Sequence, residues 1–199
     1  ELTTSELSNV SCSGAKIENA KIQNVSVRQM MELTYNGREQ LPEVTATGST
    51  TGGTAITFRY GLTAVQAADE NEWLNYVPAF TDAGTYTVYY TASAVNHDSV
   101  YGSFEIKIKN ASITGVDAAG YTGIYDGQSH GIKITLSGNA GDGEILYGES
   151  EDNCTLTESP VYKNTGSYTV YYTVTKKNFD TISGSATVAI TPAQLTVTA

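Results

Sequence analysis

The chain repeats itself. Pro78–Thr91 and Pro160–Thr173 align without a gap at a spacing of 82 residues and share the block Gly-Xaa-Tyr-Thr-Val-Tyr-Tyr-Thr. The same spacing carries Asn96-His97-Asp98 onto Asn178-Phe179-Asp180 and Gly102 onto Gly184. Upstream the shift grows in steps. Tyr60-Gly61 matches Tyr147-Gly148 at 87, Tyr35-Asn36-Gly37 matches Tyr125-Asp126-Gly127 at 90, and Lys16–Ala20 matches Lys107–Ala111 at 91. Blocks that stay intact while the spacing between them changes are homologous modules, because strands keep their length and loops absorb insertions. A chain of 199 residues has room for one large domain or two small ones, and the repeat selects two.

Within each copy the apolar residues alternate, which marks half-buried strands. Tyr86, Val88 and Tyr90 share one strand face, as do Phe104, Ile106 and Ile108, with charged residues opposite; Ala186, Val188 and Ile190 repeat the second pattern. Ile132–Leu136 alternates likewise and Val44–Thr47 does so more weakly. Short strands separated by Asn-Gly, Asp-Gly and Ser-Gly turns predict an all-β fold of two tandem immunoglobulin-like β-sandwiches. The only segments with any helical pattern are Leu62–Ala67 and Val27–Leu33. Matched positions place the first repeat at 16–109 and the second at 110–191. Residues 1–15 then read as a leader or the end of a preceding repeat, and 192–199 as a joint opening a further one. Asn110-Ala111 carries no Gly/Ser or Pro-rich linker, so the repeats are expected to follow each other with little freedom.

The block around Tyr86 and Tyr168 is more specific. An acidic or amide residue, a small residue, a glycine and then a strand-opening tyrosine (Asp82-Ala83-Gly84-Thr85-Tyr86, Asn164-Thr165-Gly166-Ser167-Tyr168) is the pattern of a tyrosine corner. There the hydroxyl bonds back to the backbone and pins the loop. Gly84, Gly166, Tyr86 and Tyr168 are therefore structural residues on this reading. Antibody domains carry a cysteine two residues after that tyrosine. Val88 and Val170 hold that place here, so an apolar contact is expected instead of a disulfide, with Tyr60 or Phe58 and Tyr147 or Leu146 opposite.

These pieces resemble bacterial immunoglobulin-like repeats of the MBG/YDG type. The residues that carry the likeness are Tyr125-Asp126-Gly127 and its partner Tyr35-Asn36-Gly37, the two Gly-Xaa-Tyr-Thr-Val-Tyr-Tyr blocks, and Ile190-Thr191-Pro192-Ala193-Gln194-Leu195-Thr196-Val197. The likeness covers roughly residues 16–199. It implies an extracellular, bacterial cell-surface location and a non-catalytic role as a spacer or stalk, or in adhesion. The partners it implies are neighbouring repeats and domains of the same chain. It carries over no catalytic residue.

Composition narrows the chemistry. The net charge is −10, split as −5 over residues 1–110 and −5 over 111–199. A nucleic-acid binder needs clustered Lys and Arg, and a polybasic membrane module needs the same, so neither is expected. The apolar runs are too short to cross a bilayer as helices. Catalysis needs convergent polar groups, yet the two histidines are not equivalent, His97 matching Phe179 and His130 matching Gln40, and no Gly-Xaa-Ser-Xaa-Gly elbow exists. His97 is expected at the surface or a strand edge. The chain is read as non-enzymatic and without cofactor. Cys12 and Cys154 lie at non-equivalent positions, so free thiols are expected rather than a disulfide framework or zinc site. The acidic clusters Asp69–Glu72 and Asp142–Asp152 lack the spacing of a dedicated calcium loop. A lysine–amide crosslink at Lys107 is disfavoured because the residue points outward and Ala189 replaces it in the second copy.

One binding hypothesis stands beside the spacer. Trp73 and Tyr76, next to Asn71 and Glu72, lie in a stretch longer in the first copy than in the second. An exposed Trp73 there would supply a platform for a glycan or a host surface protein, whereas a buried one is a core anchor. An accessory domain of a secreted hydrolase is the third reading.

Overall fold

In a computed structural model of the chain, residues 20–64 and 73–196 are described. Sixteen strands follow in order among the described residues. Those of the first copy are β1 (Ala20–Lys21), β2 (Gln23–Gln29), β3 (Leu33–Thr34), β4 (Val44–Ser49), β5 (Thr57–Gly61), β6 (Gly84–Ser93), β7 (His97–Asp98) and β8 (Val100–Lys109). Those of the second are β9 (Ala111–Ser112), β10 (Val116–Ala119), β11 (Tyr121–Ile124), β12 (Lys133–Leu136), β13 (Glu144–Gly148), β14 (Gly166–Thr175), β15 (Phe179–Asp180) and β16 (Ile182–Thr191). A single 3₁₀ turn, Gly138–Ala140, is the only helical element among the described residues. Val27 lies in β2 and Leu33 in β3, so the helical alternative for Val27–Leu33 is wrong. Cross-strand pairing of β2 with β4 outweighs whatever helical pattern four apolar residues create. The Leu62–Ala67 alternative lies partly outside the described residues.

The same sheet order occurs twice. One four-stranded sheet runs β3-β8-β6-β5 and the other β11-β16-β14-β13, each with its first pair parallel and its last antiparallel. Each is accompanied by an antiparallel pair, β2-β4 or β10-β12, and by a two-residue parallel pair, β1-β7 or β9-β15. Isolated bridges repeat too: Gln40↔Phe80 with His130↔Tyr162, and Tyr60↔Leu74 with Tyr147↔Leu156. The parallel strand closing one edge of the long sheet, followed by an antiparallel hairpin (β14-β16) and a further antiparallel strand, is the immunoglobulin-like sandwich arrangement. The protein is all-β and of that class.

The alternation predicts the cores correctly. Val88 and Ala92 are fully buried and Tyr90 nearly so, and Phe104, Ile106 and Ile108 are buried too. Their equivalents Val170, Val174 and Tyr172, with Val188 and Ile190, join Ile113, Ile132 and Ala140 in the second core. Val88 and Val170, at the place of the antibody cysteine, have no exposed surface, and Tyr147 packs against the cluster holding Val170. No buried polar or charged residue occurs among the described residues.

By its internal contacts the chain divides into two compact units. Among the described residues the first takes 20–31, 41–64, 73–79 and 86–106; the second takes 32–40, 80–85 and 107–196. Two segments of the first sequence copy, Glu32–Gln40 and Phe80–Thr85, thus belong to the second unit.

Candidate functional site

The turn that joins β14 to β15 carries several polar contacts. Asn178 adopts the left-handed conformation (φ 69°), which asparagine tolerates better than most residues. The Phe179 amide donates to the Lys176 carbonyl at 3.1 Å, closing the turn, and the Ala111 amide donates to the Asn178 carbonyl at 3.0 Å. The left-handed backbone turns the Asn178 side chain toward the loop that precedes β6. Its Nδ2 donates to Asp82 Oδ1 at 2.8 Å, and its Oδ1 accepts from the Ala83 amide at 3.0 Å. Lys177 Nζ donates to Asp82 Oδ2 at 2.7 Å. Asp82 is therefore gripped at both oxygens, and these hydrogen bonds hold its carboxyl below the usual carboxylate range.

Apolar contact completes the cluster. The Phe179 ring meets Tyr35 edge-on, with centroids 5.4 Å apart, and the Lys176 ammonium lies 5.1 Å from the Phe179 centroid. Lys176 also donates to the Asn139 carbonyl at 2.6 Å and pairs with Asp142, whose carboxyl is pulled down by that bond. Tyr35, Asp82, Asp142, Glu144, Lys176 and Asn178 line an open cleft of about 590 Å³. Its two lysines are already engaged by carboxylates, and the Asn178 amide by Asp82 and the Ala83 amide.

The turns at Tyr35-Asn36-Gly37 and Tyr125-Asp126-Gly127 explain that motif physically. Asn36 Oδ1 accepts from the Arg38 amide at 2.9 Å, and Asp126 Oδ1 from the Gln128 amide at 2.8 Å. The intervening Gly37 and Gly127 have φ 75° and 76°, which a side chain would strain. The Gln128 amide, with His130, lowers the Asp126 pKa; His130 Nε2 lies 3.1 Å from that carboxylate, and its ring stacks on Tyr121 at 3.6 Å.

The residues singled out from sequence fall in different places. Tyr168 Oη lies 3.4 Å from the carbonyls of both Asn164 and Thr165, the back-bond expected of a tyrosine corner, and its ring stacks on Tyr162 at 4.1 Å. Gly84 and Gly166 share φ 156°, and a Cβ on Gly166 would sit 2.9 Å from Tyr168 Oη. Tyr86 opens β6, half-buried. Trp73 is only 9% exposed and its ring lies against Gly61, so it is a core anchor and not an open platform. Tyr76 is 54% exposed. Asn71 and Glu72, the cluster Asp69–Glu72, Cys12 and the leader 1–15 lie outside the described residues. Cys154 is a free thiol, and burial pushes its pKa up. His97 lies in β7 at a strand edge, but its Nε2 is buried without a hydrogen-bond partner while Nδ1 sits 2.8 Å from the Val95 carbonyl. The strand-edge placement expected of His97 holds, with the side chain half-buried.

Sequence reading did not single out Tyr35, Asp82, Lys177 and Asn178 as a cluster. The available signal was Asn96 matching Asn178 at the fixed spacing. Both asparagines are left-handed, at φ 59° and 69°.

No family model matches the chain, and no curated protein does. Among solved structures it is similar to the extracellular cadherin domains 1–5 of protocadherin gamma B2, at 14% identity and a TM-score of 0.38, covering 89% of this chain and 40% of that one. It is similar to the insect immune protein hemolin at 16% identity and a TM-score of 0.28, covering 81% and 51%. It is similar to domains 1–6 of the surface layer protein SbsC at 14% identity and a TM-score of 0.30, covering 89% and 29%. The chain thus spans about half or less of the length of each. At these scores the likenesses add nothing to the sandwich architecture read from strand order and register. No helix among the described residues is long and apolar enough to cross a membrane.

Proposed function

We propose that this chain is a pair of MBG/YDG-type immunoglobulin-like repeats from an exported bacterial surface protein, acting as a spacer or stalk, or in adhesion, without catalysis. One observation carries the reading. The second unit incorporates Glu32–Gln40 and Phe80–Thr85 of the first copy, and the Asn178 turn holds Asp82 and Ala83 there through three hydrogen bonds and Tyr35 through an aromatic contact. Successive copies that share segments in this way suit a spacer. The even distribution of acidic charge favours a well-solvated surface. Burial of Trp73 favours spacing over sugar recognition in that stretch. Small-angle scattering tests the proposal. A compact chain of this length has a radius of gyration of about 16 Å; a spacer gives a clearly larger value with an elongated profile, and a compact profile refutes the role.

A further inference from the structure

The first copy's loop at Asp82-Ala83 and its Tyr35 ring are occupied by the Lys176–Phe179 turn. The second copy presents the same three features. Tyr125, 41% exposed, stands where Tyr35 does at the 90-residue spacing, and its amide donates to the Thr191 carbonyl at 2.8 Å as the Tyr35 amide does to Lys109 at 2.9 Å. Asn164 and Thr165 stand where Asp82 and Ala83 do at 82, and both are exposed. The backbone that presents them is duplicated as well, through the His130↔Tyr162 bridge matching Gln40↔Phe80 and the shared φ of Gly84 and Gly166. The complementary turn is duplicated in turn: Asn96 is left-handed, the His97 amide donates to the Ala94 carbonyl at 3.1 Å, and Val95 is 74% exposed.

We propose that Tyr125, Asn164 and the Thr165 amide form a docking surface for a further copy of this same module, which seats the left-handed asparagine of its own turn there. The proposal rests on the array reading given above and names the partner of this surface. The side-chain changes are matched. Where the turn has Lys177 its receiver is Asp82; where the first copy's turn has neutral Val95, the second copy's receiver is neutral Asn164. A heterologous contact of this kind does not close on itself and propagates head to tail. Loss of the ion pair leaves the asparagine bridge and the aromatic contact as the shared core of the contact, and the charge pair as a selector of which module follows which.

The test is a chain in which residues 110–191 are duplicated, inserted between Thr191 and Pro192, followed by amide hydrogen exchange in NMR spectra. Ala83 is the internal reference, since Asn178 already holds it. The expected result is two Thr165 signals, one exchanging at the rate seen in the parent chain and one slowed about tenfold, the effect of one added hydrogen bond. Asn178→Ala in the inserted copy alone should abolish that slowing and leave Ala83 protected. Asn164→Asp should slow exchange further by restoring the pair with lysine. If both Thr165 amides exchange at the parent rate while Ala83 stays protected, the docking surface is refuted and the array reading stands. If Ala83 is unprotected as well, the joint that both proposals share is refuted. Should the duplicated chain fail to fold, insertion of residues 20–109 at the same point presents the Asn96 turn and reads out on the same amide.

Discussion

The flank of Gly61 and the flank of Gly148 show how two copies of one design diverge. Both glycines end the strand that pairs with the long tyrosine-rich strand, and both belong to a Tyr-Gly pair. Beside Gly61 lies the Trp73 ring, with its nearest atom 3.6 Å from where a Cβ would stand. Beside Gly148 the Asn153 carbonyl oxygen is 2.1 Å from the same point. The first copy covers that face with a side chain and the second covers it with backbone. The cores follow suit. Trp73 and Phe104 are buried in the first one, while Thr155 and Ala186 stand at the matching positions, and Val174 replaces Ala92. Volume is redistributed across facing positions and the strand frame is kept, as a close-packed interior requires.

Four experiments bear on this comparison. The largest effect is expected from Ile106→Ala, which empties a fully buried site in the first core and should cost about 2–5 kcal/mol. Trp73 is the sole tryptophan, so urea unfolding followed by its fluorescence reads that loss, and an unchanged midpoint would show that the first core is loosely packed. Next, alanine at Gly148 should destabilise by about 1–3 kcal/mol through overpacking against backbone, whereas alanine at Gly61, in ordinary contact with Trp73, should stay within about 0.5 kcal/mol. Equal costs at the two sites, measured by thermal unfolding, would show that the two flanks tolerate a side chain equally. Tyr168→Phe removes two long hydroxyl bonds and should cost under about 1 kcal/mol. A larger loss would show that the corner pins its loop more strongly than these distances imply.

The smallest effect is local and depends on pH. The Asp82 carboxyl titrates below its unfolded value because Lys177 and Asn178 bond its ionised form. Its contribution is therefore complete at neutral pH and fades as the pH falls through the ordinary carboxylate range and below it. Ala83 amide protection should decline along that course in acid, and in Asp82→Asn it should be lower at neutrality and flat with pH. Acid-independent protection in the unmodified chain would show that Asn178 alone sets the contact.

Strand positions were readable in the sequence because period-two alternation is local: Val88, Tyr90, Ile106, Ile108, Val188 and Ile190 face inward wherever the strand sits in its sheet. The Tyr168 corner was readable for the same reason, since its partners lie three and four residues upstream. The burial of Trp73 was not, because an aromatic residue in a long loop gives no periodic signal and its cover depends on the distant Gly61. Nor was the Asp82 cluster, whose members Lys177 and Asn178 lie about 95 residues away along the chain.

The sequence by itself determined that this protein is a duplicated, all-β chain, which residues alternate into the two cores, and which turn residues recur at a fixed spacing. Only the tertiary structure decided that Glu32–Gln40 and Phe80–Thr85 join the second unit, and that the Asn178 turn grips Asp82 and Ala83. The physical reason is range. Alternation and turn chemistry act over a few residues, whereas a carboxylate meeting an amide and a lysine from the next copy depends on where whole strands come to rest.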